Sequence, residues 1–357
     1  MVKLISVCLC ALFAAGALSI EARAERENYK IKRLVSQMYD KRGAVEAQRK
    51  LPTYGEEVIP YVLPLLDDKK NANVRASALI VIGDVGDASL EDNVAAMLSD
   101  RDARVRKEAA RALSEIGTAK SVDKLKVLLR DYDPDVRFNA LKALARVAPK
   151  EDTNLFISAL GDYDPRVRRF AVIALGKIKA KESVSYIAQL TQDMDPAVRV
   201  EVARTLGKIR TVECLKPLSW MIADPEPFIR ILAVDNIAVV ESGETDVFLV
   251  DAARSTDPRV AARAITMLGL RKSPEALKVA TEYIDDEHMD VRLAAIGAIG
   301  DVGGTKEKKI LEPLLEAESG NVRKVAAASI QKIEGTVPGV SMKDDAKKGT
   351  QVVDAVK

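Results

Sequence analysis

The stretch "DYDPDVRFNALKALARV" begins at Asp131, and "DYDPRVRRFAVIALGKI" begins at Asp162, 31 residues later. The same offset continues in both directions. It generates a register of β-branched residues, Val74, Val105, Val136, Val167, Val198, Ile229, Val260, Val291 and Val322, without an insertion or deletion between neighbours. A fixed period of this length is the signature of a solenoid, whose units cannot bury their apolar faces alone. A chain of 357 residues would otherwise suggest two ordinary domains. Here the repeat overrides that expectation, because solenoids grow by stacking rather than by enlarging one core.

Each unit reads as helix, turn, helix. Three positions before the register residue stand N-capping types such as Asn71, Asp102, Asp133, Asp164, Asp195 and Asp257, with Pro134, Pro165, Pro196 and Pro258 directly after four of them. Asp at the N-cap accepts from free backbone N–H groups, and Pro at the next position supplies a helical φ at no lost bond. Along the helix, apolar or small residues return at +4, +8 and +11, as in Val167, Ala171, Leu175 and Ile178, which is one helical face. Glycines at +9, such as Gly83 and Gly300, suggest a thinning helix end, and Gly86, Gly117 and Gly303 at +12 stand where a cap belongs. A shorter helix follows, as in "SVDKLKVLLRD" from Ser121. The segment from about Asn28 to Asp67 fits a degenerate first unit that caps the stack.

The pattern D-P-x-V-R followed by A-x-x-x-L-G resembles the short bacterial HEAT-like repeat, the class named for phycobilisome lyases, from about Asn28 to Gly335. That resemblance implies an all-α fold, a right-handed α-solenoid of about nine 31-residue units plus an N-terminal capping unit, with a concave groove for partners. It also implies an alternative function, a lyase-like enzyme or chaperone. An aromatic content of 4% is thin for a tetrapyrrole pocket and speaks against that alternative.

The expected organisation is a secretory signal peptide at 1–24, the solenoid at 25–335 and a disordered polar tail at 336–357. Lys3, the uncharged run Leu4–Ile20 and the small-x-small site Ala22-Arg23-Ala24 carry the first expectation. It places the mature protein in the periplasm or outside the cell, with no integral membrane span after cleavage. Val7 and Leu9 precede Cys8 and Cys10 where a lipoprotein signal would have a small residue, so lipidation is not expected. Removing the signal leaves Cys214 alone, and stability must then come from packing rather than disulfides. Against 55 Lys and Arg stand 53 Asp and Glu, which gives no global electrostatic case for nucleic acid or membrane.

Few residues suggest chemistry. Arg75, Arg106, Arg137, Arg168, Arg199, Arg230, Arg292 and Arg323 follow the register residue and could read a polyanion. Their recurrence in phase with the helix-opening Asp favours a structural charge ladder between units instead. His288, the single histidine, occupies an N-cap slot and reads as a solvated turn residue. With one His and one mature Cys, neither a His/Cys metal site nor a Ser-His-Asp triad can be assembled. Cys214 lies in phase with Ser183 and Ser121 and reads as a substitute cap, with a reactive thiol as the alternative. No cofactor, metal or catalytic constellation is expected.

A binding surface should show where the repeat fails to repeat. At +6 and +10 of the longer helices, basic residues gather as Lys142, Arg146, Lys177, Arg204 and Lys208, and apolar ones follow as Val239 and Leu270, joined by Leu232. The expectation is a non-catalytic scaffold whose groove holds an acidic segment of a protein partner and anchors an apolar residue. A looser joint is expected near Asp224 to Ala264, where Glu226 replaces Asp and Ala261 replaces the ladder Arg.

Overall fold

The computed structural model describes residues 23–336 apart from 150 and 151. Most of the expected signal peptide, residues 1–22, and all but the first residue of the expected tail lie outside the described residues.

Nine long helices carry the register: α1 (Ala72–Val85), α2 (Ala103–Ile116), α3 (Pro134–Val147), α4 (Pro165–Ile178), α5 (Pro196–Ile209), α6 (Pro227–Ala238), α7 (Pro258–Leu270), α8 (Met289–Val302) and α9 (Gly320–Thr336). Each starts 31 residues after its predecessor. The starts are chemical: Asn71, Asp102, Asp133, Asp195 and Asp257 have extended backbone and accept from N–H groups two or three residues on. Glu226 and His288 hold the same backbone angles without a side-chain cap. Short helices and 3-10 turns fill the intervals, and the described residues contain no strand. This is an α-solenoid.

The two compact units divide between Ala171 and Val172. In the first, α1 packs on α2 and α2 on α3; in the second, α5 through α9 pack each on the next. All nine register residues are buried, none more than 5% exposed. The alanines at +4 are sealed completely, which lets successive long helices approach closely.

The +9 glycines have a different cause from the one the sequence suggests. A Cβ on Gly300 would lie 2.7 Å from the Cα of Ser329, and one on Gly83 3.0 Å from the Cα of Ala112. These glycines are contact points between successive units rather than fraying ends. At +12, Gly86, Gly117 and Gly303 do terminate their helices, with extended φ of −78°, −71° and −74°.

The N-terminal capping unit begins with a helix over residues 23–37. Its next helix, Lys41–Lys50, starts one period before α1, and Asp40 caps it by accepting from Arg42 and Gly43. The unit loses regularity at Gly55, whose φ of +62° interrupts a 3-10 segment.

Candidate interaction surface

Arg75, Arg106, Arg137, Arg199 and Arg230 make ion pairs between successive repeats. In the first unit Arg106 donates from Nε and Nη2 to the Asp131 carboxylate at 2.6 and 2.8 Å, and from Nη1 to the Asp100 carbonyl at 2.8 Å. Arg75 holds Asp100 at 2.8 Å through both atoms, and Arg137 holds Asp162 at 2.7 Å through both. In the second unit Arg199 holds Asp224 at 2.7 and 3.0 Å. The accepting acid is therefore not the helix-opening Asp but the one two residues before it, the first Asp of the D-x-D turn. Where that place is Ser255, Arg230 reaches the helix-opening Asp257 instead, at 2.8 and 2.7 Å.

Burial pushes the Asp131 carboxyl up, yet Arg106 and the Asp133 N–H outweigh it and hold the group below the usual carboxylate range. The Arg106 guanidinium is correspondingly pushed up by Asp131. These guanidiniums are thus committed to structure and are not free to read a polyanion.

The residues expected to line a groove lie on the exposed side of the long helices. In the first unit Lys142 and Arg146 project from α3. Arg146 is tied to Glu115 of α2 at 2.8 Å, and the Lys142 ammonium lies 5.9 Å from the Phe138 ring centroid. In the second unit Lys177, Arg204 and Lys208 are exposed on α4 and α5. Arg204 and Lys208 both face the buried carboxylate of Glu201, at 3.8 and 3.7 Å. Lys177 has no ion-pair partner among the described residues. Val239, at the end of α6, is 38% exposed and Leu270, at the end of α7, 60%, whereas Leu232 is half-buried.

The charge band is consequently weaker than the sequence suggests. Glu115 and Glu201 offset part of it, and only the second had a visible signal, since Glu201 sits three residues before Arg204 on one helix face.

Two further residues resolve on geometry. Cys214 is completely buried, with its sulfur 3.5 Å from Thr211 Oγ1, and burial pushes its thiol pKa up. Its position makes no capping bond, and Ser121 and Ser183 in the same phase are buried too, so this is a small packed site rather than a cap. His288 is half exposed, with Nδ1 3.2 Å from Asp286 Oδ1.

Among the described residues no group of His, Cys, Asp and Glu is arranged to hold a metal ion, and no helix is long and apolar enough to cross a membrane.

The HEAT-repeat family matches residues 59–145, 125–193 and 245–331, more than half of the sequence. The chain belongs to the HEAT-repeat family. No curated relative matches it in sequence. Among solved structures it is similar to Kap121p, with a TM-score of 0.64 at 13% identity over 87% of this chain. Kap121p bound to the extreme C-terminus of the protein phosphatase Cdc14p also matches, with a TM-score of 0.64 at 14% identity over 86% of this chain. The HEAT-repeat chain spans 42% of Kap121p in both. The complex of CpcE and CpcF of phycocyanin lyase from Nostoc sp. PCC7120 matches at a TM-score of 0.37 and 18% identity, over 68% of this chain and 94% of that one.

Proposed function

We propose that the protein is an exported, non-catalytic HEAT-repeat scaffold that binds an acidic segment of another protein along its long helices. The observation that carries this reading is in the second unit: Lys177 is exposed without a carboxylate partner among the described residues, and Val239, just after α6, and Leu270, at the end of α7, are exposed. Long cationic side chains attract a partner's acidic groups, while an exposed aliphatic pair offers an anchor for one apolar residue. Arg204 and Lys208 add charge that Glu201 partly offsets, and Lys142 and Arg146 present the same chemistry on the first unit. A HEAT-repeat karyopherin that holds the end of another protein is a precedent for the mode, not for the partner.

The experiment uses chain from Glu25 onward to capture proteins from cell-envelope extract, compared with the triple variant Arg146→Glu, Lys177→Glu, Lys208→Glu. The variant should fold, lose the specifically captured protein and lose binding to an amidated Asp/Glu peptide carrying one leucine. Unchanged capture and unchanged peptide binding would reject the surface. Export is tested separately by N-terminal sequencing of the protein recovered beyond the cytoplasmic membrane, with a start at or near Glu25 expected.

A further inference from the structure

The ion-pair ladder described above is broken at one place in a way that exposes a binding group. In α8 the ladder position is Arg292. Its guanidinium is seated as in the earlier units, with Nη1 donating to the Asp286 carbonyl at 2.7 Å, as Arg106 donates to Asp100 and Arg199 to Asp193 at 2.8 Å each. In those units Nε and Nη2 then grip an Asp of the next unit. Next to Arg292 that place is held by Ala317, followed two residues later by Ser319, so neither the usual acid nor the substitute used by Arg230 exists. Among the described residues, the remaining contacts of this guanidinium are the Glu287 carbonyl at 3.4 Å and the Met289 sulfur at 3.7 Å.

The backbone has kept the geometry that the missing side chain would need. Ala317 has φ −60° and ψ 147°, against −63° and 144° at Asp100 and −57° and 141° at Asp224. The Cβ direction is thus that of a ladder Asp, and Ala317 and Arg292 line the same cleft. It measures about 640 Å³, with Ile284, Leu314, Met289 and Val322 in its walls. Asp285 and Glu318 also line it, both exposed and neither within ion-pair distance of Arg292. Their charges oppose any incoming anion, a multiply charged phosphate more strongly than a single carboxylate.

We propose that Arg292 is a docking point for the acidic side chain of a bound polypeptide, which completes between molecules the bidentate pair that the earlier units make within the chain. The class of ligand follows from the frame itself, since the same guanidinium seat takes an Asp side chain on an extended backbone at Arg75, Arg106, Arg137 and Arg199. The apolar walls suit an aliphatic neighbour of that acid. This site stands apart from the surface row on α4 to α7 and does not depend on it.

The test follows the Nε–H resonance of Arg292 by NMR in the full chain, assigned with Arg292→Lys. The probe is an acetylated, amidated peptide with one Asp between leucines; the controls are its Asn counterpart and a peptide whose only acid is a free C-terminal carboxylate. The Asp peptide should shift the resonance saturably and the Asn peptide should not. Ala317→Asp should refill the position within the chain, raise the thermal midpoint and weaken the Asp peptide by about tenfold or more. Equal responses to Asp and Asn peptides, no saturable response, a response to the terminal carboxylate alone, or an Ala317→Asp chain that binds like wild type would each overturn the assignment.

Discussion

Arg199 and Asp224 are 25 residues apart and joined by two charge-assisted hydrogen bonds, with 10% and 2% of their side chains exposed. Taking both charges out of water is costly, so the pair contributes less than its geometry suggests, but removing one partner leaves the other buried and uncompensated. Arg199→Met should therefore destabilise the second unit by about 3 to 5 kcal/mol, and the double variant Arg199→Met, Asp224→Leu by less than that single change. Denaturant melts of these two variants and of the single variant Asp224→Leu measure it; additive losses would contradict the coupling.

Gly300 supplies a second handle. A methyl group there would meet Ser329, so Gly300→Ala should cost about 1 to 3 kcal/mol despite the better helix propensity of alanine. A thermal midpoint unchanged or raised in that variant would show that α8 and α9 can separate freely.

Acid should loosen the stack. The carboxyls of Asp102 and Asp257 are pushed down to about 2, mainly by hydrogen bonds from Arg104 and Arg259, and Asp131 and Asp164 are lowered as well. Folded-state values below the unfolded one, about 3.9, mean that the unfolded chain takes up protons first as pH falls. The stabilisation is present above about pH 5 and is lost between about pH 4 and pH 2. Thermal midpoints should be level near neutrality and drop across that window, less steeply in high salt because Arg104 and Arg259 are largely exposed.

The joint at α6 and α7 should open first. Helix α6 has 12 residues where α5 has 14, Glu226 makes no cap, and Ala261 supplies no guanidinium to the next unit. Hydrogen exchange should be faster over Pro227–Leu270 than over α8 or α2. Uniform protection would show that packing alone suffices there.

Cys214 should be inert. A thiol reagent should label the native chain slowly and the unfolded chain fast, tracking opening of the second unit; prompt labelling of native protein would contradict the burial.

The period made the helices, their starts and the buried face legible, because each depends on residues close in sequence: Asp102 on Arg104, Val167 on Ala171. What depends on the next unit was harder to read. The acid that Arg106 selects could not be chosen between Asp131 and Asp133, since both recur with the same period. Gly300 differs from its sequence expectation for the same reason: its constraint comes from Ser329, one unit away. At the proposed surface, Arg146 looked available until Glu115 stood beside it. Periodicity locates a side chain on a helix face, but which neighbour answers it is decided by packing between helices.

The ladder has a direction. A regular unit offers a guanidinium forward and a carboxylate backward, so a segment such as residues 106–136, copied in place, would present the right group at both of its new junctions. A gene of this kind can lengthen or shorten by whole units without passing through a product whose ends fail to match, while a change of any other length throws the phase out. In so uniform a lattice, position carries no information. The places that break the rule, Ser255, Ala261 and Ala317, are therefore landmarks: each marks one repeat as different from the others.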